Sequence, residues 1–292
     1  MKLSDTPIEK YHINKKMVDV KREDLCAIGT PNAPPFSKVR GLDLHLKKIA
    51  KQGFSTVVYV ETSISMAGWG VAALAPYHGL KAIIFDPQYN IDPKQLKNKP
   101  HLKILEYHRI MWRKFNATII PIKAGRAKVN YYIARRYVNN KIADNKGVLL
   151  PLGLPLQETI EATKKIANKI ANKNYYSTVV INVGSGTVCK GVLKGFEDSF
   201  CDVIGIMGRS GKVTSKGTSI QSAVPLVLSK PAKFKLIDSG YQYTQKSLAA
   251  APFPCHPYYD LKAWEWLTKN IDNIKLPVLF WNIGSMPKEV EI

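Results

Sequence analysis

The sequence predicts an α/β protein built on mostly parallel sheets flanked by helices. Three observations carry this. Short β-branched runs recur along the chain, at residues 56–60 (TVVYV), 81–85 (KAIIF), 117–122 (ATIIPI), 177–184 (STVVINVG) and 201–208 (CDVIGIMG). These runs are apolar without alternation, the mark of strands buried on both faces. Segments with helical spacing separate them, which calls for crossover connections in a parallel sheet.

Taken in order, the run at 56–60 is followed by AGWGVAALAPYHG, a helix of small residues that Gly79 closes. The strand at 81–85 comes next, then the one at 117–122. LQETIEATKKIANKIANK (156–173) places Leu156, Ile160, Ile166 and Ile170 at helical spacing and predicts a helix. The strands at 177–184 and 201–208 both run straight into glycine. There is no internal repeat and no low-complexity linker. A chain of 292 residues can form one large domain or two intimate ones.

The composition is that of a globular protein, with 45% hydrophobic and 22% charged residues. No apolar run approaches the roughly 20 residues needed to cross a bilayer, so no membrane partner is expected. The first residues lack the apolar core of a signal peptide. Cys26, Cys189, Cys201 and Cys255 show neither CxxC spacing nor a disulfide framework. Reduced thiols in a cytoplasmic compartment are the natural reading. The six histidines have no clustered spacing, and no metal site is expected.

Charge is the unusual feature. Lys and Arg number 43 against 22 acids, a formal net charge of +21. Such an excess attracts polyanions, and DNA is the expected partner. Arg109, Arg113, Lys114, Arg126, Lys128, Arg135 and Arg136 concentrate in one region, interleaved with Tyr107, Trp112, Tyr131, Tyr132 and Tyr137. Cations mixed with aromatics suit phosphate neutralisation and base stacking. The same pattern also suits a packed aromatic core beneath a solvated basic face.

Two motifs carry chemistry. In NVGSGTVCKGVLKGF (182–196) a strand ends in Gly184-Ser185-Gly186-Thr187 and a helix begins, a turn whose amides and hydroxyls can close around a phosphate. It lacks a P-loop lysine and the GxGxxG spacing. APPFSKVRGLDLHL (33–46) delivers Lys38 to the start of a helix, where a cation opposes the helix dipole.

These motifs, with four further segments in order, resemble the pyridoxal-phosphate (PLP) enzymes of the tryptophan-synthase-β type, fold type II. The branch containing aminocyclopropane-carboxylate deaminase and D-cysteine desulfhydrase is the most similar. VKREDL (20–25) resembles the first strand, FSKVRGL (36–42) the cofactor-lysine motif and SMAGWGVAALA (65–75) the substrate loop and helix. GSGT resembles the phosphate loop, HPYYDLKAWEWL (256–267) a late Asp-Pro-x-Tyr-x-x-Lys-Ala motif and WNIGSMP (281–287) the closing His-Thr-Gly-Gly-x-Pro. The resemblance implies a large domain of residues 1–48 and 150–292, a small domain of 49–149 and a homodimer. It implies that Lys38 forms the Schiff base. Gly184 would make the phosphate turn, with Ser185, Gly186 and Thr187 binding the phosphate. Ser65 would touch the substrate carboxylate, and Tyr241 and Tyr259 would serve proton transfer or substrate contact.

The chain departs from the family at three positions. Met66 replaces the asparagine that meets the cofactor's ring hydroxyl, and Ala67 a frequent histidine. Ile283 falls where a hydroxyl usually meets the pyridine nitrogen, and Ser285, two residues on, could substitute only if the loop shifts. A ring nitrogen facing Ile283 would stay unprotonated and make a weaker electron sink. An apolar Met66-Ala67 pair beside the substrate carboxylate would instead favour its loss as carbon dioxide.

Together with the charge, this points to decarboxylation or elimination at an amino-acid-modified thymine in DNA, as in bacteriophage DNA hypermodification. Such an enzyme would work in the cytoplasm of an infected bacterium. A deaminase or desulfhydrase acting on a free small amino acid, and a catalytically dead nucleic-acid-binding protein on this fold, are the alternatives.

Overall fold

The computed structural model describes residues 3–89, 99–142, 144, 146–170, 172–211 and 234–287. Two sheets organise it. The first has six strands in the spatial order β1 (Ile8–Ile13), β2 (Lys16–Arg22), β10 (Val278–Asn282), β7 (Thr178–Val183), β8 (Asp202–Met207) and β9 (Phe234–Asp238). All neighbouring pairs are parallel except β1 and β2. The second is parallel throughout, in the order β5 (Thr118–Lys123), β4 (Lys81–Gln88), β3 (Thr56–Val60) and β6 (Gly147–Leu149). Strands β3, β7 and β10 are buried along their whole length, which is why they read as unbroken apolar runs.

Among the described residues, seven α-helices connect and cover the sheets: α1 (Val39–Lys51), α2 (Ala67–Leu74), α3 (His101–Lys114), α4 (Ala127–Lys141), α5 (Gln157–Asn168), α6 (Thr187–Gly195) and α7 (Asp260–Asn270). Val39, Leu42 and Leu46 of α1 share one core with Tyr59 of β3, Trp69 of α2 and Trp112 of α3. Helix α1 lies close against α5: a Cβ at Gly41 would come within 2.2 Å of the Thr159 backbone. Glycine here lets α1 settle onto α5 and fixes where its first turn, with Lys38, is held. Among the described residues, no helix is long and apolar enough to cross a membrane.

The differences from the sequence reading have local causes. Helix α2 stops at Leu74 because Pro76 lacks the amide an α-helix needs. The chain continues as a 3₁₀ turn to His78, and Gly79 ends it at φ 68°. Helix α5 ends at Asn168 rather than near residue 173. In VKREDL, strand β2 ends at Arg22 and Glu23–Leu25 form a 3₁₀ turn. There Arg22 donates to both oxygens of Asp24, at 2.9 and 2.8 Å. The β1–β2 hairpin turns on Asn14 and Lys15, both at positive φ, a two-residue turn with no glycine to announce it.

Candidate active site

The C-terminal ends of β3, β7 and β10 and the first turns of α2, α4 and α6 converge on one cavity of about 510 Å³. This is where parallel sheets expose backbone donors and loops to a ligand. Lys38 lies inside it, at the N-cap of α1 in helical geometry. Its Nζ donates to the Gly153 carbonyl at 2.6 Å and to Ser185 Oγ at 2.9 Å. Burial, with no carboxylate to offset it, brings the amine down to about 8. That is the state a lysine needs to act as a nucleophile near neutral pH. The cation at a helix start therefore gives up its proton more readily than a surface lysine does.

The phosphate loop stands directly beside it. Ser185 Oγ and Thr187 Oγ1 are 2.9 Å apart, so one hydroxyl touches both the lysine and the loop. Gly186 caps α6 at φ 80° with no side-chain bond, a conformation that glycine adopts without strain. A Cβ at Gly184 would meet no atom within 4 Å. The loop is thus an open cradle of amides at a helix N-terminus, sized for an anion.

Three other predicted positions also line the cavity. Met66 is 3% exposed, Ile283 faces the space, and Tyr259 lies opposite Lys38's loop. Tyr259 Oη is 3.1 Å from Tyr243 Oη, which is 3.1 Å from Thr62 Oγ1, so three hydroxyls form a chain along one wall. Burial raises both phenols and keeps them protonated. Ser65 also lines the cavity, but its Oγ accepts from the Ala67 amide at 3.1 Å and caps α2.

Two expectations are corrected. Tyr241 does not reach the cavity: its hydroxyl donates to Glu265, and Tyr243, two residues on, takes the wall position instead. Ser285 does not substitute for Ile283. The Ser37 amide donates to the Ile283 carbonyl at 2.9 Å and the Ser285 amide to the Pro35 carbonyl at 3.0 Å. Those bonds pin the segment, leaving Ile283 at the cavity and Ser285 buried outside its lining.

The structure also adds groups that the sequence reading missed. Asp260, the first residue of α7, lines the cavity beside Ile283 and accepts from the Ile283 and Gly284 amides at 3.0 and 3.2 Å. Burial lifts its carboxyl to about 8. His256 also lines it, fully buried and held neutral by desolvation. The Tyr258 amide approaches its Nδ1 at 3.3 Å, while Nε2 has no partner. Asn182 Oδ1, at the end of β7, is a further buried acceptor without a partner on this wall. Glu61, 2% exposed, closes the opposite side and accepts from the Thr62 and Gly68 amides at 2.7 and 2.8 Å.

The predicted basic residues divide. Arg109 is not a free cation: it holds Asp86 through two bonds of 2.8 and 2.9 Å and pairs with Glu106. Trp112 belongs wholly to the core, and Tyr131 and Tyr137 pack against the Val58–Phe85 cluster. Arg113, Lys114, Arg126, Lys128, Arg135 and Arg136 are exposed, with Lys114 bonded to Asn32 and Arg135 over the Tyr131 ring at 5.4 Å. Tyr132 stands 60% exposed among them. No Asp or Glu occurs in the sequence between Tyr107 and Ile142. Helix α4 from this stretch reaches the cavity mouth through Ala127 and Asn130.

No family model matches the chain. A curated relative does: it is 36% identical to the glycyl-dTMP PLP-dependent decarboxylase of Pseudomonas phage M6 over 293 residues, 97% of this chain and all of that protein. The chain belongs to this decarboxylase family. Solved structures agree in fold. An ACC deaminase homologue superposes with a TM-score of 0.74 at 18% identity, covering 96% of this chain and 89% of that one. A hydrogen sulfide-producing enzyme from Fusobacterium nucleatum gives 0.60 at 13% identity, covering 97% and 96%.

The decarboxylase family uses pyridoxal phosphate, and the residues present fit it. Lys38 offers a buried, near-neutral amine for the aldehyde, and the Gly184–Thr187 cradle takes the phosphate. Asp260 is the group that can pair with a ring nitrogen, which Ile283 cannot do. The signal was in the sequence, as the acid directly after Tyr259 in HPYYDLK.

Proposed function

We propose that this protein removes carbon dioxide from an α-amino acid carried on a thymine in DNA, as the name of its phage M6 relative states for glycyl-dTMP. The observation that supports it best is the joining of two features in one cavity. An intact lysine and phosphate cradle line it, and so do Ala127 and Asn130 of α4, which comes from a stretch of sequence rich in cations and without acids. The reading includes Arg113, Lys114, Arg126, Lys128, Arg135 and Arg136 as contacts to the DNA backbone. It also includes the division of the chain into residues 1–48 with 150–292 and 49–149, a homodimer, and action in the cytoplasm of an infected bacterium.

When bound, pyridoxal phosphate supplies the sink for the electron pair that the departing carboxylate leaves on the α-carbon. The protein's own residues do the rest. Lys38 Nζ, bonded to Ser185 Oγ and lowered by burial to about 8, would hold the cofactor through its aldehyde and can carry a proton at that nitrogen. Asp260 would be the group to pair with the cofactor's ring nitrogen. Met66, Ala67 and Ile283 keep water from the reacting carbon, where a carboxylate without solvent is poorly stabilised. The Tyr259–Tyr243–Thr62 hydroxyls can pass a proton along the wall at their Oη and Oγ1 atoms.

The test is mass spectrometry of a synthetic oligonucleotide bearing a glycyl-thymine, incubated with the holoenzyme and with a Lys38→Ala control. Loss of carbon dioxide only with the lysine present is expected. An unchanged oligonucleotide and an unchanged modified mononucleotide, with the cofactor band intact, would refute the reading.

A further inference from the structure

Of the helix N-termini that border the cavity, those of α2, α4 and α6 dispose of their donors in different ways. Helix α6 opens into the Gly184–Thr187 cradle. Helix α2 is closed, because the Ala67 amide goes to Ser65 Oγ and the Gly68 amide to Glu61. Helix α4, 15 residues long, is open. Its cap residue Arg126 is extended, at φ −65° and ψ 128°, and no side chain caps the turn. Among the described residues, the amides of Ala127 and Lys128 have no acceptor, and no acid lies in this first turn.

A second observation points to a ligand there. Asn130, one turn into α4, is 5% exposed and lines the cavity, and among the described residues no hydrogen bond joins its side chain to the protein. Its amide is thus free to bond a ligand in the cavity. Arg126 and Lys128 flank it, both exposed and, among the described residues, neither paired with a carboxylate. Arg209 lines the same mouth and is also exposed. Free helix amides, the positive end of a long helix, an unsatisfied side-chain donor and two unpaired cations together describe a seat for a phosphate.

We propose that the N-terminus of α4, with Asn130, Arg126 and Lys128, is a second phosphate-binding site, which holds the phosphate of the modified nucleotide while its base lies in the cavity. The site deepens the proposed function and rests on it. The cofactor phosphate is held by α6 and the substrate phosphate by α4, so the enzyme grips its substrate by the backbone and not by neighbouring bases. In duplex DNA that grip requires the modified nucleotide to be turned out of the stack, with the base entering the cavity and its phosphate remaining at the mouth. A free mononucleotide and a phosphodiester within DNA present the same chemistry to this site.

The experiment compares thymidine 5′-monophosphate with thymidine, binding to the holoenzyme by calorimetry, for the wild type, Asn130→Asp and the double variant Arg126→Ala/Lys128→Ala. The wild type is expected to prefer the phosphorylated form at least tenfold. Both variants should lose that preference while thymidine binding and the cofactor absorption band stay as they were. The double variant changes only exposed side chains, so it keeps the test decisive if Asn130→Asp fails to fold. Equal binding of the two ligands by the wild type, or a preference that survives in the double variant, would overturn the site.

Decarboxylation assays separate this from the larger reading. If the phosphate preference holds but neither a glycyl-thymine mononucleotide nor an oligonucleotide loses carbon dioxide, the site stands and the proposed function falls. If both react but the nucleoside reacts as well as the nucleotide, the function stands and the site falls. Reaction of the mononucleotide alone would support the site and identify free nucleotide, rather than DNA, as the source of its phosphate.

Discussion

Asp260→Asn is the substitution that separates stability from chemistry most clearly. In the protein without cofactor, Asp260 is fully buried, accepts two backbone amides and has no cation beside it, and burial lifts its carboxyl to about 8. In the unfolded chain the same group titrates near 4. The folded state therefore binds the extra proton between these values, and this group's contribution to stability falls as pH rises through that window. At 1.36 kcal/mol per unit, the interval from pH 5 to pH 7.5 removes about 3 kcal/mol. Asparagine cannot ionise, so it removes that slope, although its single oxygen can accept from only one of the two amides, which reach different oxygens of Asp260. Urea unfolding of the cofactor-free wild type and Asp260→Asn, at pH 5 and pH 7.5, reads the difference. The variant should gain on wild type by about 3 kcal/mol between the lower and the higher pH, against a pH-independent cost for the lost bond. With cofactor the order should reverse in function, because asparagine cannot hold a positive ring nitrogen, and decarboxylation should fall by orders of magnitude. Parallel pH dependences to within 1 kcal/mol would refute the placement of an uncompensated carboxyl at this position.

Three further outcomes follow from the site. With Lys38 at about 8, cofactor loading followed by absorbance should be about tenfold faster at pH 9 than at pH 7, whereas an ordinary lysine would give a change near a hundredfold. Gly184→Ala should leave the thermal midpoint nearly unchanged, since its Cβ meets no protein atom within 4 Å, yet weaken cofactor binding by filling the cradle. Equal affinity in that variant would mean the phosphate lies elsewhere. Arg109→Ala should cost about 3 kcal/mol by stranding Asp86 and leave the salt dependence of DNA binding alone. Arg135→Ala/Arg136→Ala should do the opposite, lowering the salt slope by about 2 without a change in unfolding.

Strands β3 and β7 were legible because they are buried on both faces and read as unbroken apolar runs, whereas β10, equally buried but only five residues long, was not picked out as a strand. Lys38 and the glycine cradle were legible because each is a short contiguous motif. Asp260 was not, because its role depends on the backbone of Ile283 and Gly284, which are close in space and not in sequence. The exchange of Tyr241 for Tyr243 is of the same kind, since residues two apart in an irregular segment can face opposite ways. Arg109 looked like one more surface cation until its partner Asp86 appeared across the sheet. Short-range pattern identifies strands and loops, but the partner of a polar group is a long-range property of the fold.

Glu61 shows how those long-range partners tune a reaction. It is a buried carboxyl, raised well above its usual range by desolvation and by Asp86 behind it, and it already consumes the Gly68 amide at the start of α2. Those amides would otherwise be a ready seat for a substrate carboxylate. With that seat filled by the protein's own carboxyl, and Met66 and Ala67 adding no donor, a substrate carboxylate on this side gains little when it binds. It therefore loses little when it departs as neutral carbon dioxide. An enzyme that must retain the carboxylate needs those amides free, whereas one that expels it is served by having them occupied. The contrast between the closed α2 terminus and the open α4 and α6 termini is thus what a decarboxylase acting on a phosphate-bearing substrate requires: anion sites where charge must be held, and none where charge must leave.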